Sequence, residues 1–244
     1  MKERPILFNG SSVRSILEDR KTQTRRVIKL EWSRCLDLED QDDVVKAIKQ
    51  CPYGQVGDRL WVKETWKVAS FMEDMPIEFQ YKADGAELEE NRSADLPETW
   101  LKYNDWYERI CGQSTSELET MKWPANDDDG HYAWDAGKSP LRWRPSIFMP
   151  RWASRITLEI VKVRVERLQD IGKDENVKDI FSEGLCKANY YETDPEDNEV
   201  CGIDIEEALE DFSDLWSSIN AKRGYGWNAN PWVWVIEFHR MEQA

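Results

Sequence analysis

The sequence predicts an α+β protein: a small mixed β-barrel core, two or three helices outside the sheet, and long polar insertions. Three observations predict it. Short apolar or alternating runs read as strands, and the strongest spans Arg155 to Arg167. Helical patterns with one apolar face are fewer and lie between those runs. Acidic stretches without periodicity separate the two kinds. The chain has 244 residues, 40% of them hydrophobic, with 13 Trp, so it supports a core despite 33% charged residues. Disordered chains are poor in aromatics. The expected organisation is a single domain over 1–244, with 84–140 as an insertion outside the barrel core.

The elements follow in order. Pro5-Ile6-Leu7-Phe8 reads as a first strand, and Asn9-Gly10-Ser11-Ser12 supplies candidate helix caps. Val13, Ile16 and Leu17 recur at helical spacing, which places a short helix over 12–19. Thr24 to Ile28 reads as the next strand, and the acid-rich stretch 36–46 as a surface insertion. Arg59 to Glu64 and Glu78 to Lys82 alternate as strands do. From 84 to 140 no period holds, although a segment this long predicts some helix of its own, near 98–110. In the long strand, Ile156, Leu158, Ile160, Val161, Val163 and Val165 are apolar. A short helix over 174–182 stops at Gly184, 187–202 is a second acidic insertion, and 205–219 is an amphipathic helix. Pro231 to Phe238 closes the chain as a buried strand.

The formal net charge of −15 argues against general affinity for nucleic-acid backbones, which rests on cations displacing counterions. It leaves room for a local basic pocket that takes one nucleotide or a single strand. Five cysteines and two histidines, with no Cys-x-x-Cys pair, argue against a structural zinc site, and no metal or other cofactor is expected. The opening Met-Lys-Glu-Arg-Pro does not read as a signal peptide, and no apolar run reaches membrane-spanning length. Reduced thiols in the cytoplasm are the expectation.

Against this acidity stands Asp19-Arg20-Lys21-Thr22-Gln23-Thr24-Arg25-Arg26, with four cations and two threonine hydroxyls in eight residues. Two readings stand. The cations suit the negative end of the preceding helix. Alternatively they line a pocket for an anionic or strongly polar ligand, with Lys21 and Thr24 three residues apart.

The chain resembles ASCH-domain proteins of the PUA-like superfamily, in the larger form common among bacteriophages and prophages. The resemblance rests on Lys21-Thr22-Gln23-Thr24-Arg25-Arg26, Gly57-Asp58-Arg59-Leu60-Trp61-Val62, Met149-Pro150-Arg151-Trp152-Ala153-Ser154-Arg155, and Asn230-Pro231-Trp232-Val233-Trp234-Val235. It covers most of the expected core and none of 84–140. The family pattern after the first helix is Gly-x-Lys-x-x-Glu-x-Arg. Here Lys21 and Arg26 match, Asp19 stands where Gly is usual, and Thr24 takes the place of Glu. One branch that hydrolyses the amide of N4-acetylcytidine also has Lys-x-x-Thr. It completes its site with a Glu near the end of the helix after the long strand. By order along the chain that is Glu183, with Glu175 and Asp179 as alternative alignments.

The resemblance therefore implies a metal-independent amidohydrolase acting on N4-acylated cytidine or a similar modified nucleoside. In that reading Thr24 supplies the nucleophilic hydroxyl, Lys21 is its base, and Glu183 holds the lysine and shuttles the proton. Substrate binding falls to Arg26 and Arg25, with Trp61 and Arg155. The alternative is a non-catalytic module that binds single-stranded RNA or a modified nucleotide. A ribonuclease is a third possibility that no carboxylate cluster or His pair supports. Trp61, Trp143 and Trp152 lie beside Arg59, Arg142, Arg144 and Arg151, a combination used both for base stacking and for ordinary rim packing. Strand geometry sets one test: residues three apart on a regular strand point to opposite faces, so Lys21 and Thr24 meet only where the chain turns or bulges.

Overall fold

The computed structural model describes residues 1–29, 37–71, 77–89, 97–126, 131–173, 177–185 and 205–241, the side chains of 97–103 and 177 excepted. The acidic insertion at 187–202, Glu175, Cys35, Cys186 and Cys201 lie outside the described residues. The chain divides into two compact units. The first is Met1–Ile6, Ser11–Trp61 and Ile156–Ala244; the second is Leu7–Gly10 and Val62–Arg155.

The first unit carries a five-stranded sheet in the order β1(Glu3–Leu7), β3(Arg59–Lys63), β7(Thr157–Arg167), β8(Trp232–Arg240), β2(Gln23–Val27). The class is mixed α+β, as expected, but the sheet does not close. Among the described residues β1 and β2 are its two ends, because the next three strands pair only with one another in a second sheet. The long strand β7 shows why its apolar pattern changes parity. Ile156, Leu158 and Ile160 occupy even positions and Val163 and Val165 odd ones; a bulge between Ile160 and Lys162 absorbs the extra residue and leaves Val161 44% exposed. The register then continues with Val163 opposite Ile236 and Val165 opposite Trp234.

β8 is buried on both faces, which explains its continuous apolar run. Val233 and Val235 join Leu168, Ile171, Ile180, Phe212 and Trp216, so this face is covered by α4(Val177–Ser182) and α5(Ile205–Asn220). Trp234, Ile236 and Phe238 alternate with them and point to the opposite face. The stretch 36–46, expected as an insertion, is largely helix: α2(Gln41–Lys49). Its acids build its start. Asp40 caps it by accepting from the backbone of Asp42 and Asp43, and those two acids sit in its first turn.

The second unit holds a three-stranded antiparallel sheet, β4(Trp66–Ser70), β5(Glu78–Tyr81) and β6(Glu87–Glu89), with the 24-residue helix α3(Pro97–Thr120). The expected helix near 98–110 is thus present and twice as long. The segment 84–140 lies outside the five-stranded sheet, but it is no mere appendage, since it builds this unit's own core. Trp106, Ile110 and Leu118 of α3 pack with Trp66, Phe79, Met149 and Ala153. Trp66 meets Phe79 edge-on at 5.4 Å and Trp106 meets Trp152 edge-on at 5.2 Å. No described helix is long and apolar enough to cross a membrane.

Candidate functional site

The junction between α1(Gly10–Leu17) and β2 delivers Lys21. The chain reverses tightly: the amides of Arg20 and Lys21 both donate to the Ser15 carbonyl, at 2.9 and 3.0 Å. Asp19 takes the left-handed conformation at φ 54°, a region in which glycine is the usual residue. Asp tolerates that region better than most residues, and its carboxylate is tied to Arg240 at 3.0 Å.

The end of α4 is fastened onto this junction. Thr22 donates its amide to the Ser182 carbonyl at 3.0 Å, and Lys21 forms a bridge with Glu183. The Gly184 carbonyl accepts from Ser15 Oγ at 2.7 Å and from Arg20 at 2.8 Å. Gly184 sits at φ +75°, and a Cβ there would lie 2.7 Å from Lys21 Cβ and 2.8 Å from Ser15 Cβ. Only glycine allows this approach.

The approach brings Lys21 and Glu183 together. Lys21 Nζ donates to Glu183 Oε2 at 2.7 Å and to its carbonyl at 2.8 Å, and both residues are buried. The other carboxylate oxygen, Oε1, accepts from Arg25 at 3.1 Å. Arg25 reaches on to Asp179 at 2.8 Å and to Glu166 at 3.4 Å. Arg164 completes the cluster, bonding Asp179 at 2.8 Å, the Gln23 side chain at 2.9 Å, and Glu166. Among the described residues, Lys21, Arg25 and Arg164 therefore face Glu183, Asp179, Glu166 and Glu237, the last 3.1 Å from Arg164, on one side of the sheet.

Alternation and register explain this company. Arg25 lies opposite Val235 on β8, and Arg164 lies opposite the same Val235 from the other side. Gln23, Arg25, Arg164 and Glu166 thus share the face that meets α4. Burial lowers the Lys21 pKa; Glu183 opposes the shift and Arg26 and Arg25 add to it. Burial raises the Glu166 pKa. At Asp179 burial acts the same way, but hydrogen bonds from Arg164 and Arg25 outweigh it and the net shift is downward.

Thr24 is not in this network. It is buried opposite Ile236, so it points to the other face of β2 from Arg25, and its hydroxyl makes no hydrogen bond to a described residue. Arg26, two positions on, shares that other face, with its guanidinium 5.8 Å from the Tyr53 ring centre. Trp61 lies on β3 opposite Thr157, with β7 and β8 between it and β2.

Arg155 belongs to a different cluster, in the second unit. It holds Glu64 at 2.9 and 3.0 Å and Asp84 at 2.8 and 3.0 Å, and its guanidinium lies 4.1 Å from the Tyr81 ring centre. Burial raises the Glu64 pKa against the pull of Arg155. Among the described residues no group of three His, Cys, Asp or Glu is placed to hold a metal ion. The sequence reading missed Arg164, Glu166 and Gln23. Their signal was the charged pair at 164 and 166 inside the most apolar strand, at the spacing that puts both on one face.

Compared with family models, with curated proteins and with solved structures, the chain shows no match.

Proposed function

We propose that the Lys21–Glu183 pair is the acid–base centre of a PUA-like, ASCH-type amidohydrolase acting on N4-acylated cytidine or a similar modified nucleoside. The observation that carries the reading is the 2.7 Å contact between a buried lysine and a buried glutamate 162 positions away in sequence. Buried ionisable pairs with a shifted pKa concentrate at functional sites. A lysine whose pKa is lowered by burial is a base nearer neutral pH, and Glu183 fixes its amine and receives the proton. Arg25 holds the second oxygen of Glu183 and so orients the carboxylate. Thr24, the nucleophile implied by the resemblance, keeps that role only if substrate binding turns its hydroxyl toward Lys21. Otherwise the pair activates a water directly.

A second reading has its own observation. The pair, Arg25 and the Gly184 contacts also fasten α4 to β2, and a network satisfied from within suits a module that binds RNA or a modified nucleotide without chemistry. One experiment separates the two. The purified protein is incubated with a panel of N4-acylcytidines, in a strong chelator, and loss of the acyl group is followed. The enzyme reading expects turnover that Lys21→Ala and Glu183→Gln reduce by at least a hundredfold, with activity rising with pH as the Lys21 amine becomes neutral. Thr24→Ala decides whether the nucleophile is its hydroxyl or water. Absence of turnover across the panel leaves the binding reading.

A further inference from the structure

The second unit contains a cleft of about 590 Å³ that the Lys21 centre does not use. Its volume lies within the roughly 300–1,000 Å³ of small-ligand sites. Its walls are aromatic: Trp66, Trp106, Trp143 and Phe148. Two of these are core residues and two are open to solvent, Trp143 at 37% and Phe148 at 70% exposure. An exposed phenylalanine and a partly exposed tryptophan in the lining of one cleft leave π surface available for stacking. Trp143 is also held in place, because the buried Lys67 ammonium lies 4.9 Å from its ring centre and is itself bonded to the Ser139 carbonyl at 2.6 Å.

The polar wall is cationic in a chain of net charge −15: Arg109, Arg142 and Arg144 all line the cleft. Arg144 is anchored through its backbone, whose amide donates to the Trp66 carbonyl at 2.6 Å. Its buried guanidinium is poorly satisfied. Its hydrogen bonds to Gln113 and Ser114 are long, at 3.4 and 3.5 Å, Glu117 stands 3.9 Å away, and Nε has no acceptor. Arg142 shares Glu117, at 3.4 Å, and its side chain is 73% exposed. One carboxylate thus serves two arginines, and the third adds a further charge. Guanidinium forks match phosphate oxygens, and indole faces match nucleobases.

We propose that this cleft binds a nucleotide, its base stacked on the Trp143 wall and its phosphate held by Arg142 and Arg144. A free mononucleotide and a nucleotide within a single strand present the same chemistry. The test is calorimetric titration of the full chain with AMP, adenosine, inorganic phosphate and a ten-nucleotide single strand of dA. AMP or the strand should bind saturably, and adenosine and phosphate each at least tenfold more weakly. Equal affinity for AMP and the strand identifies a free nucleotide as the source, and tighter, salt-dependent binding of the strand identifies a single-stranded nucleic acid. Trp143→Ala should weaken binding about tenfold by loss of stacking. Arg142→Ala, at an exposed side chain whose removal leaves the fold intact, should do the same. Lys21→Ala should leave binding unchanged, which keeps this site separate from the proposed catalytic one. The proposal is overturned if neither AMP nor the strand binds, if phosphate alone binds as well as AMP, or if Lys21→Ala abolishes binding while Arg142→Ala does not.

Discussion

Gly184→Ala puts the packing at the Lys21 centre to a quantitative test. Gly184 has φ +75°, where an L-residue is strained by about 1–2 kcal/mol. The new methyl would also sit 2.7 Å from Lys21 Cβ, 2.8 Å from Ser15 Cβ and 3.2 Å from Lys21 Cα. These are well inside the ~3.5–4.0 Å optimum for carbon contacts. Neither neighbour can swing away, since Cβ and Cα move only with the backbone, and overpacking of that kind costs about 1–3 kcal/mol. The total is about 2–5 kcal/mol. Gly224 supplies the control: it has φ +83°, but a Cβ there meets nothing within 4 Å. Gly224→Ala should therefore show the strain alone, about 1–2 kcal/mol. Urea unfolding of both variants, at matched m-values, measures the difference. If Gly184→Ala and Gly224→Ala are equally destabilised within about 0.5 kcal/mol, α4 does not approach Lys21 as closely as described, and the geometry behind the Lys21–Glu183 pair falls with it.

Arg155→Ala leaves Glu64, 1% exposed, without its cation; it should destabilise by about 3–5 kcal/mol, and adding Glu64→Gln should recover part of that, read by urea unfolding. Asp58 accepts from the Lys2 amide, the Arg4 guanidinium and the Gln55 amide, and its pKa falls to about 2. A depressed carboxylate stabilises the fold above its unfolded pKa, so this contribution is complete above about pH 4 and is lost as pH falls toward 2. Asp58→Asn should flatten the acid limb of stability in that window, and an unchanged limb would discount the Asp58 contacts. Leu118→Ala, at a fully buried position of α3, should cost about 2–5 kcal/mol; a near-neutral result would return 84–140 to the status of a dispensable insertion.

The local periods of the chain are legible because each element carries its own reason. Val13, Ile16 and Leu17 recur at helical spacing, and the apolar residues from Ile156 to Val165 mark the long strand, while the bulge inside it is visible only in the pairing with β8. Lys21 is legible as an unusual cation in an acidic chain, whereas Glu183 is implied only by the family resemblance, with the order of elements placing it. Composition misled where charge has two uses. The acids of 36–46 read as an insertion, yet Asp40, Asp42 and Asp43 start a helix, because free backbone amides at a helix N-terminus favour them.

What the sequence by itself determined was the mixed α+β class, the strands β1, β2, β3, β5, β7 and β8, and Lys21 as a residue to watch. Only the tertiary structure decided which side chains meet. The side-chain period of a strand fixes that Gln23 and Arg25 share a face and Thr24 does not. Only the pairing of β2 and β7 on either side of β8 brings Arg164 and Glu166 to the same place. The second unit is the same lesson on a larger scale. Trp106 shares a face of α3 with Ile110, but its burial depends on Trp66, Phe79 and Trp152, 27 to 46 positions away in sequence. Contacts at that separation depend on how elements dock, a sum over the whole chain that no local pattern contains.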